Sequence, residues 1–212
     1  MRLMWDMSLL KLDHLAVSCE ALDAGAAAIE QRLGISLEVQ GEHPDMGTHN
    51  RLASTGDIYL EVLAINPDAK GPNRPRWFNI DNFSGTPRLT NWILQTDDIE
   101  GVLANLPGGF GEPLALQRGD LKWRMAVPKT GILPWDGLGP AIIQWDAGQH
   151  PSATLPDCGL RLSRLTIHHP MAVEMAELLG PLMPRDTAQF MPDEDAKLVA
   201  IYDGPNGEIR LE

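Results

Sequence analysis

The strongest constraint on this 212-residue chain is that it repeats itself. KLDHLAVSCEALD, from Lys11, lies without a gap over RLTNWILQTDDIE, from Arg88, and over RLSRLTIHHPMAV, from Arg161. The segments that close each copy match too, GDIYLE from Gly56 over GPAIIQ from Gly139 and GEIRLE from Gly207. The separations agree: 47 residues from His14 to Glu61, 53 from Asn91 to Gln144, and 48 from Arg164 to Glu212. A unit this short cannot bury its apolar face alone, so the copies must pair or stack.

Each copy reads the same way. Alternation around Leu15 and Val17 predicts a strand, and Leu22, Ala26, Ile29 and Leu33 recur at helical spacing before a Gly34 stop. Strands are then predicted at 35–39, 50–54 and 57–65, giving βαβββ. The second copy predicts a strand at 89–95, a helix capped by Asp97 or Asp98 and carrying Ile99, Val102, Leu103 and Leu106, and strands at 114–117, 121–127 and 140–146. The third predicts a helix with Pro170 at its first position, then a hairpin through Asn206-Gly207. The expected organisation is module 1 at 8–66, a linker or lid at 67–86, module 2 at 87–147 and a partial third module at 160–212. The Pro- and Gly-rich runs 66–87 and 148–159 punctuate it.

Composition excludes several classes. With 17 Lys+Arg against 29 Asp+Glu the net charge is -12, the wrong sign for nucleic acid or an anionic membrane. No stretch approaches the ~20 apolar residues of a spanning helix, and the N-terminus lacks the apolar core of a signal peptide. Two cysteines, Cys19 and Cys158, without CxxC spacing, point to a reducing cytoplasm. P-loop, GxGxxG, GxSxG and HExxH patterns do not occur, so no nucleotide cofactor is expected.

LDHLAV opening a module, followed by EHPDMGTHNRL (Glu42 to Leu52) and GDIYLEVLAINPD (Gly56 to Asp68), resembles the glyoxalase-like domain group of the vicinal oxygen chelate superfamily, the fold of glyoxalase I, extradiol dioxygenases and bleomycin-resistance proteins. The resemblance implies an α+β fold in which paired βαβββ modules form one curved mixed sheet, with a C-terminal partial third module. It further implies a divalent metal, Zn, Ni, Mn or Fe, held in the trough by residues of the first and last strand of each module. Carried over residue by residue, those positions are His14 and Glu61, as metal ligands and catalytic groups, and Asn91 and Gln144. The last two depart from the family's His and Glu, which leaves a four-ligand site in doubt. His43, His49, water or substrate would then complete it, or the pair would work as acid and base without metal. The implied activity is that of a glyoxalase- or dioxygenase-like enzyme, a lyase, isomerase or dioxygenase; a non-catalytic binding protein on the same fold is the alternative. Superfamily members often pair modules between chains, so a homodimer is possible.

Further candidates come from the residues themselves. HPDMGTHN (His43 to Asn50) reads as a turn, or as a loop that places His49 and Asn50 at the trough. Arg74 to Phe78 lies in a long connection of the kind that forms lids, where Arg76 and Trp77 suit a carboxylate beside an apolar ring. In the strand 121–127, Trp123 and Arg124 face opposite ways, and either face can line the trough. Asn91, Trp123, Arg124 and Gln144 are thus expected to contact substrate together with His49, Asn50, Arg76 and Trp77. Arg76, Arg124 and Arg164 would select an anionic or carbonyl-bearing small molecule.

Overall fold

The computed structural model describes residues 9–146 and 150–212. The N-terminal run read for a leader, the module ends at 8 and 147, and part of the Gly/Pro run at 148–159 lie outside them.

Module 1 consists of β1 (Lys11–Ser18), α1 (Leu22–Leu33), β2 (Val39–His43), β3 (Thr48–Ser54) and β4 (Tyr59–Ile65). Module 2 consists of β5 (Arg88–Gln95), α2 (Ile99–Asn105), β6 (Glu112–Arg118), β7 (Leu121–Val127) and β8 (Ala141–Trp145). They share one eight-stranded sheet in the order β2-β3-β4-β1-β5-β8-β7-β6, joined by the antiparallel pair β1/β5. In each module the last strand pairs parallel with the first. The two modules therefore pair within one chain, and no second copy is needed to close the trough.

One face of the sheet is covered by helices. Leu22, Ala26, Ile29 and Leu33 of α1 are buried there with Leu15 and Val17, each large side chain contributing ~1.5–3 kcal/mol relative to exposure. Gly34 ends α1 with φ 68°, a left-handed cap that suits glycine. The strand expected at 35–39 begins only at Val39, because the Leu37 N–H bonds the Glu30 carboxylate (2.7 Å) and holds the chain against the helix end.

The third segment contains β9 (Arg161–His169), α3 (Ala172–Leu179), β10 (Gln189–Pro192), β11 (Lys197–Gly204) and β12 (Gly207–Leu211). It keeps the βαβββ order but pairs as β10-β9-β11-β12, with β12 at the edge rather than beside β9. This small sheet packs on the helix-side core, where Phe190 meets Trp92 edge-on. The helix starts two residues after Pro170, because β9 runs on to His169, whose Nδ1 accepts the Met171 N–H. Among the described residues no helix is long and apolar enough to cross a membrane.

The other face of the large sheet is the trough. Ala16, Leu63, Ile93, Leu116, Trp123, Met125, Ala141 and Ile143 form its floor. The connection between modules lies across it, with a 3-10 segment, Trp77–Asn82, that buries Trp77 and Phe78 against the floor.

Candidate functional site

Strand alternation decides which side chains reach the trough. On β1, His14 and Ala16 face it while Leu15 and Val17 face the helices. On β4 the trough residues are Tyr59, Glu61 and Leu63; opposite Leu63 on β3 stands Asn50. Asp13 would face away, but the β1/β5 register steps from Leu12↔Leu94 to His14↔Ile93, leaving Asp13 as the extra residue of a bulge. The bulge swings its carboxylate beside the ring of His14.

The result is a buried charged chain. Asp13 Oδ1 lies 2.6 Å from His14 Nδ1, and His14 Nε2 lies 3.5 Å from Glu61 Oε2. Asp13 also accepts from Trp145 Nε1 (2.8 Å) and pairs with His150 Nε2 (3.0 Å). Asn50 Nδ2 donates to the other Glu61 oxygen (2.5 Å) and approaches His43 Nε2 (3.4 Å), while Asn50 Oδ1 accepts from Arg118 Nη1 (3.2 Å). His43 therefore carries its proton on Nδ1, toward Thr48 Oγ1 (3.0 Å), an assignment that follows from the network. Tyr59 stacks on the His14 ring, centroids 4.3 Å apart.

These contacts set the charges. Burial works against a charged His14, but its hydrogen bonds and ion pairs with Asp13 and Glu61 outweigh that and hold its pKa above the usual histidine value. Burial likewise opposes the Glu61 carboxylate, yet His14 and Asn50 bring its pKa down to about 2. His43, buried with no carboxylate bonded to it, falls to about 4 and is neutral at pH 7. The two flanking carboxylates thus favour the imidazolium form of His14, with the Arg118 guanidinium at the edge of the site.

His14, Asn50, Glu61, Trp77 and Trp123 converge on one pocket, together with His43, Tyr59, Phe78, Arg118, Met125, Ile143 and Trp145. Trp77 and Phe78 of the connection between modules fill it until about 20 Å³ remains, room for one water-sized group. Six expected residues are elsewhere. His49 pairs with Ala64 on the helix-facing side of β3, since neighbours on a strand cannot share a face. Arg76 is tied to Asp81 (2.6 Å) within the lid connection. Arg124 and Gln144 bond each other (2.7 Å) on the outer face, where Arg124 also pairs with Glu100 and Gln144 accepts the Ile99 N–H at the start of α2. Asn91 shares the trough face but lines a separate cavity of about 560 Å³ behind Phe78. Arg164 lies on β9 outside the trough, in a groove with Arg161 and Thr187.

Gln144 is displaced because the equivalence drawn from the glycines is off by three residues. Ala16 pairs with Glu61, and Ile93, which holds the place of Ala16 in module 2, pairs with Ala141. Ala141 therefore stands where the family's second carboxylate would be, and an odd offset turns Gln144 to the other face. The residues do not fit the family's four-donor metal set. Ala141 offers no donor, Asn91 is in another cavity, the Glu61 oxygens are already engaged by His14 and Asn50, and Arg118 adds positive charge. Among the described residues no three His, Cys, Asp or Glu side chains are grouped to hold a metal ion.

Asp13, Arg118 and His150 were not anticipated. The alternation of Leu114, Leu116 and Arg118 carries the signal for Arg118, which the pattern puts on the trough face.

Two βαβββ modules sharing one curved sheet around a buried polar trough define a vicinal oxygen chelate fold. The model of the glyoxalase-like domain family matches residues 12–183, and the chain belongs to that family. No curated protein matches the sequence. Among solved structures, a hypothetical protein from Staphylococcus aureus is similar at 17% identity and a TM-score of 0.62, over 95% of this chain and 84% of that one. Methylmalonyl-CoA epimerase from Mycobacterium tuberculosis matches at 16% identity and 0.46, over 71% and 97%. The same enzyme from Streptomyces coelicolor matches at 18% and 0.44, over 66% and 100%. At these identities the likeness concerns the fold.

Proposed function

We propose that the chain is a small-molecule proton-transfer enzyme of isomerase or lyase type. In this reading it acts on a carbonyl or carboxylate compound with an acidic C–H, using His14 and Glu61 as acid and base. The observation that carries it is the buried chain Asp13–His14–Glu61, in which neighbouring groups are held in opposite charge states. His14 gives its Nε2 proton to the substrate carbonyl oxygen as Glu61 takes the proton from the adjacent carbon, so the C–H pair becomes the enol C=C. Alone, Glu61 is a weak base at a pKa of about 2, but it loses its stabilising cation as His14 discharges, so the two transfers assist each other. Return of a proton to carbon from Glu61, and of the enol proton to His14, completes the cycle. Asp13 holds the ring and keeps it basic enough to recharge. Two free thiols, Cys19 and Cys158, accord with a cytoplasmic setting.

Proton abstraction is readable without knowing the product. Pyruvate, 2-oxobutyrate and acetoacetate are incubated with tag-free protein in D2O, and loss of the acidic C–H signal is followed by NMR. Wild type should wash in deuterium, and Glu61→Gln and His14→Gln should lose it by ~10²-fold or more. Equal rates in the three proteins, or a stoichiometric metal lost on either substitution, would overturn the proposal. Retained binding with no wash-in in wild type would favour a sequestering role instead.

A further inference from the structure

Five indole N–H groups fall among the described residues, and they divide in two. Trp92 donates to the Leu138 carbonyl (2.8 Å), Trp135 to Glu174 (3.2 Å) and Trp145 to Asp13 (2.8 Å). Trp77 and Trp123 are buried, and among the described residues neither N–H has an acceptor. Both line the His14–Glu61 pocket, one from the connection between modules and one from β7, and both meet the ring of His43 edge-on. A buried N–H without a partner costs ~1–3 kcal/mol, and here two belong to residues that line the same small pocket. Arg118 stands on the same pocket, with its one side-chain bond among the described residues going to Asn50.

We infer that Trp77, Trp123 and Arg118 form an oxygen-acceptor site, which binds the carboxylate or carbonyl oxygen of a small oxo acid and so fixes the substrate class of the adjacent acid–base pair. The inference rests on the proposed function for its substrate, but its donors are separate from the groups that move protons. The free space of about 20 Å³ suits one oxygen rather than a ring. These three side chains offer donors alone, two indole N–H groups and a guanidinium fork, while the Glu61 carboxylate on the same pocket is already engaged by His14 and Asn50. An amine or metal cation would find no acceptor among the three. Because Trp77 belongs to the lid, an oxygen held by both indoles would also tie the lid to the floor.

The indole signals of the ¹⁵N-labelled full chain, assigned through Trp77→Phe and Trp123→Phe, test this directly. Sodium acetate and sodium pyruvate are titrated in, with sodium chloride at matched ionic strength as control. The Trp77 and Trp123 signals should move downfield together, saturating at one concentration, while Trp92 and Trp135 stay still. Each Phe variant, and Arg118→Gln, should bind pyruvate at least ~10-fold more weakly. Silent Trp77 and Trp123 signals, a uniform response of all indoles, or Phe variants that bind as well as wild type would overturn the inference. Wash-in lost in Glu61→Gln with silent indoles would sink it while leaving the proposed function standing; responsive indoles without wash-in would do the reverse.

Discussion

Replacing His43 by Gln turns the electrostatics of the pocket into a stability measurement. His43 lies at the end of β2, buried between Trp77 and Trp123, and burial lowers its pKa from 6.5 to about 4. In the unfolded chain it takes up a proton below about pH 6.5, whereas in the folded chain it does so only below about 4. Between those values the unfolded state binds more protons, so stability falls as the pH is lowered. At pH 7.5 the contribution is nearly zero; at pH 5 the ratio of proton binding in the two states corresponds to ~2 kcal/mol of destabilisation. Gln keeps an acceptor for Asn50 but has no proton to gain. Urea unfolding of wild type and His43→Gln at both pH values should show the difference between them moving by ~2 kcal/mol in favour of the variant at pH 5. Taking the difference cancels every other titrating group, His14 and Glu61 included, as long as the substitution leaves them in place. A difference that does not change with pH would refute the claim that His43 is buried and neutral.

Three other outcomes follow from the geometry. Asp13→Asn removes the anion on His14 Nδ1, so His14 should lose its proton at lower pH in a ring-proton NMR titration, and deuterium wash-in should fall ~10²-fold or more. Gly131 has φ 74°, and an added Cβ would lie 2.0 Å from the Arg76 carbonyl oxygen; Gly131→Ala should cost at least ~2 kcal/mol and speed protease cleavage within 74–82. Gln144→Ala leaves the Ile99 N–H and Arg124 without their shared acceptor, which should cost ~1–3 kcal/mol in thermal unfolding while wash-in stays at the wild-type rate.

The parts of the site that the sequence revealed are those on unbroken alternation. His14 and Glu61 lie at matching phases of β1 and β4, so a repeat aligned at the strand level finds both. For Trp123 the same period of two separates it from Arg124 but leaves open which of them faces the trough, and the fold puts Trp123 there. Failures occur where the period is interrupted. Asp13 reaches the site only through a bulge, and nothing in KLDHLAV marks where the register slips. Gln144 was reached through matched glycines, but the parallel pairing of β5 with β8 places Ala141 opposite Ile93 and so turns Gln144 outward. His49 and Asn50 were expected together because their stretch read as a loop; once it is a strand, only one can face inward. The third segment shows the limit of element order, since the same βαβββ sequence of elements pairs differently when β9 takes β10 and β11 as neighbours.

The central claim is that His14 is a doubly protonated ring held between Asp13 and Glu61 and not a metal ligand. The ¹⁵N shifts of its two ring nitrogens at pH 7, in protein purified without tag or chelator, test this most directly. The account predicts that both nitrogens carry a proton, with the Nδ1 proton far downfield because of its short bond to Asp13, and that the Nε2 proton is lost in neither EDTA nor added zinc. A ring with one unprotonated nitrogen at pH 7, or an Nε2 shift that changes on chelation, would contradict it.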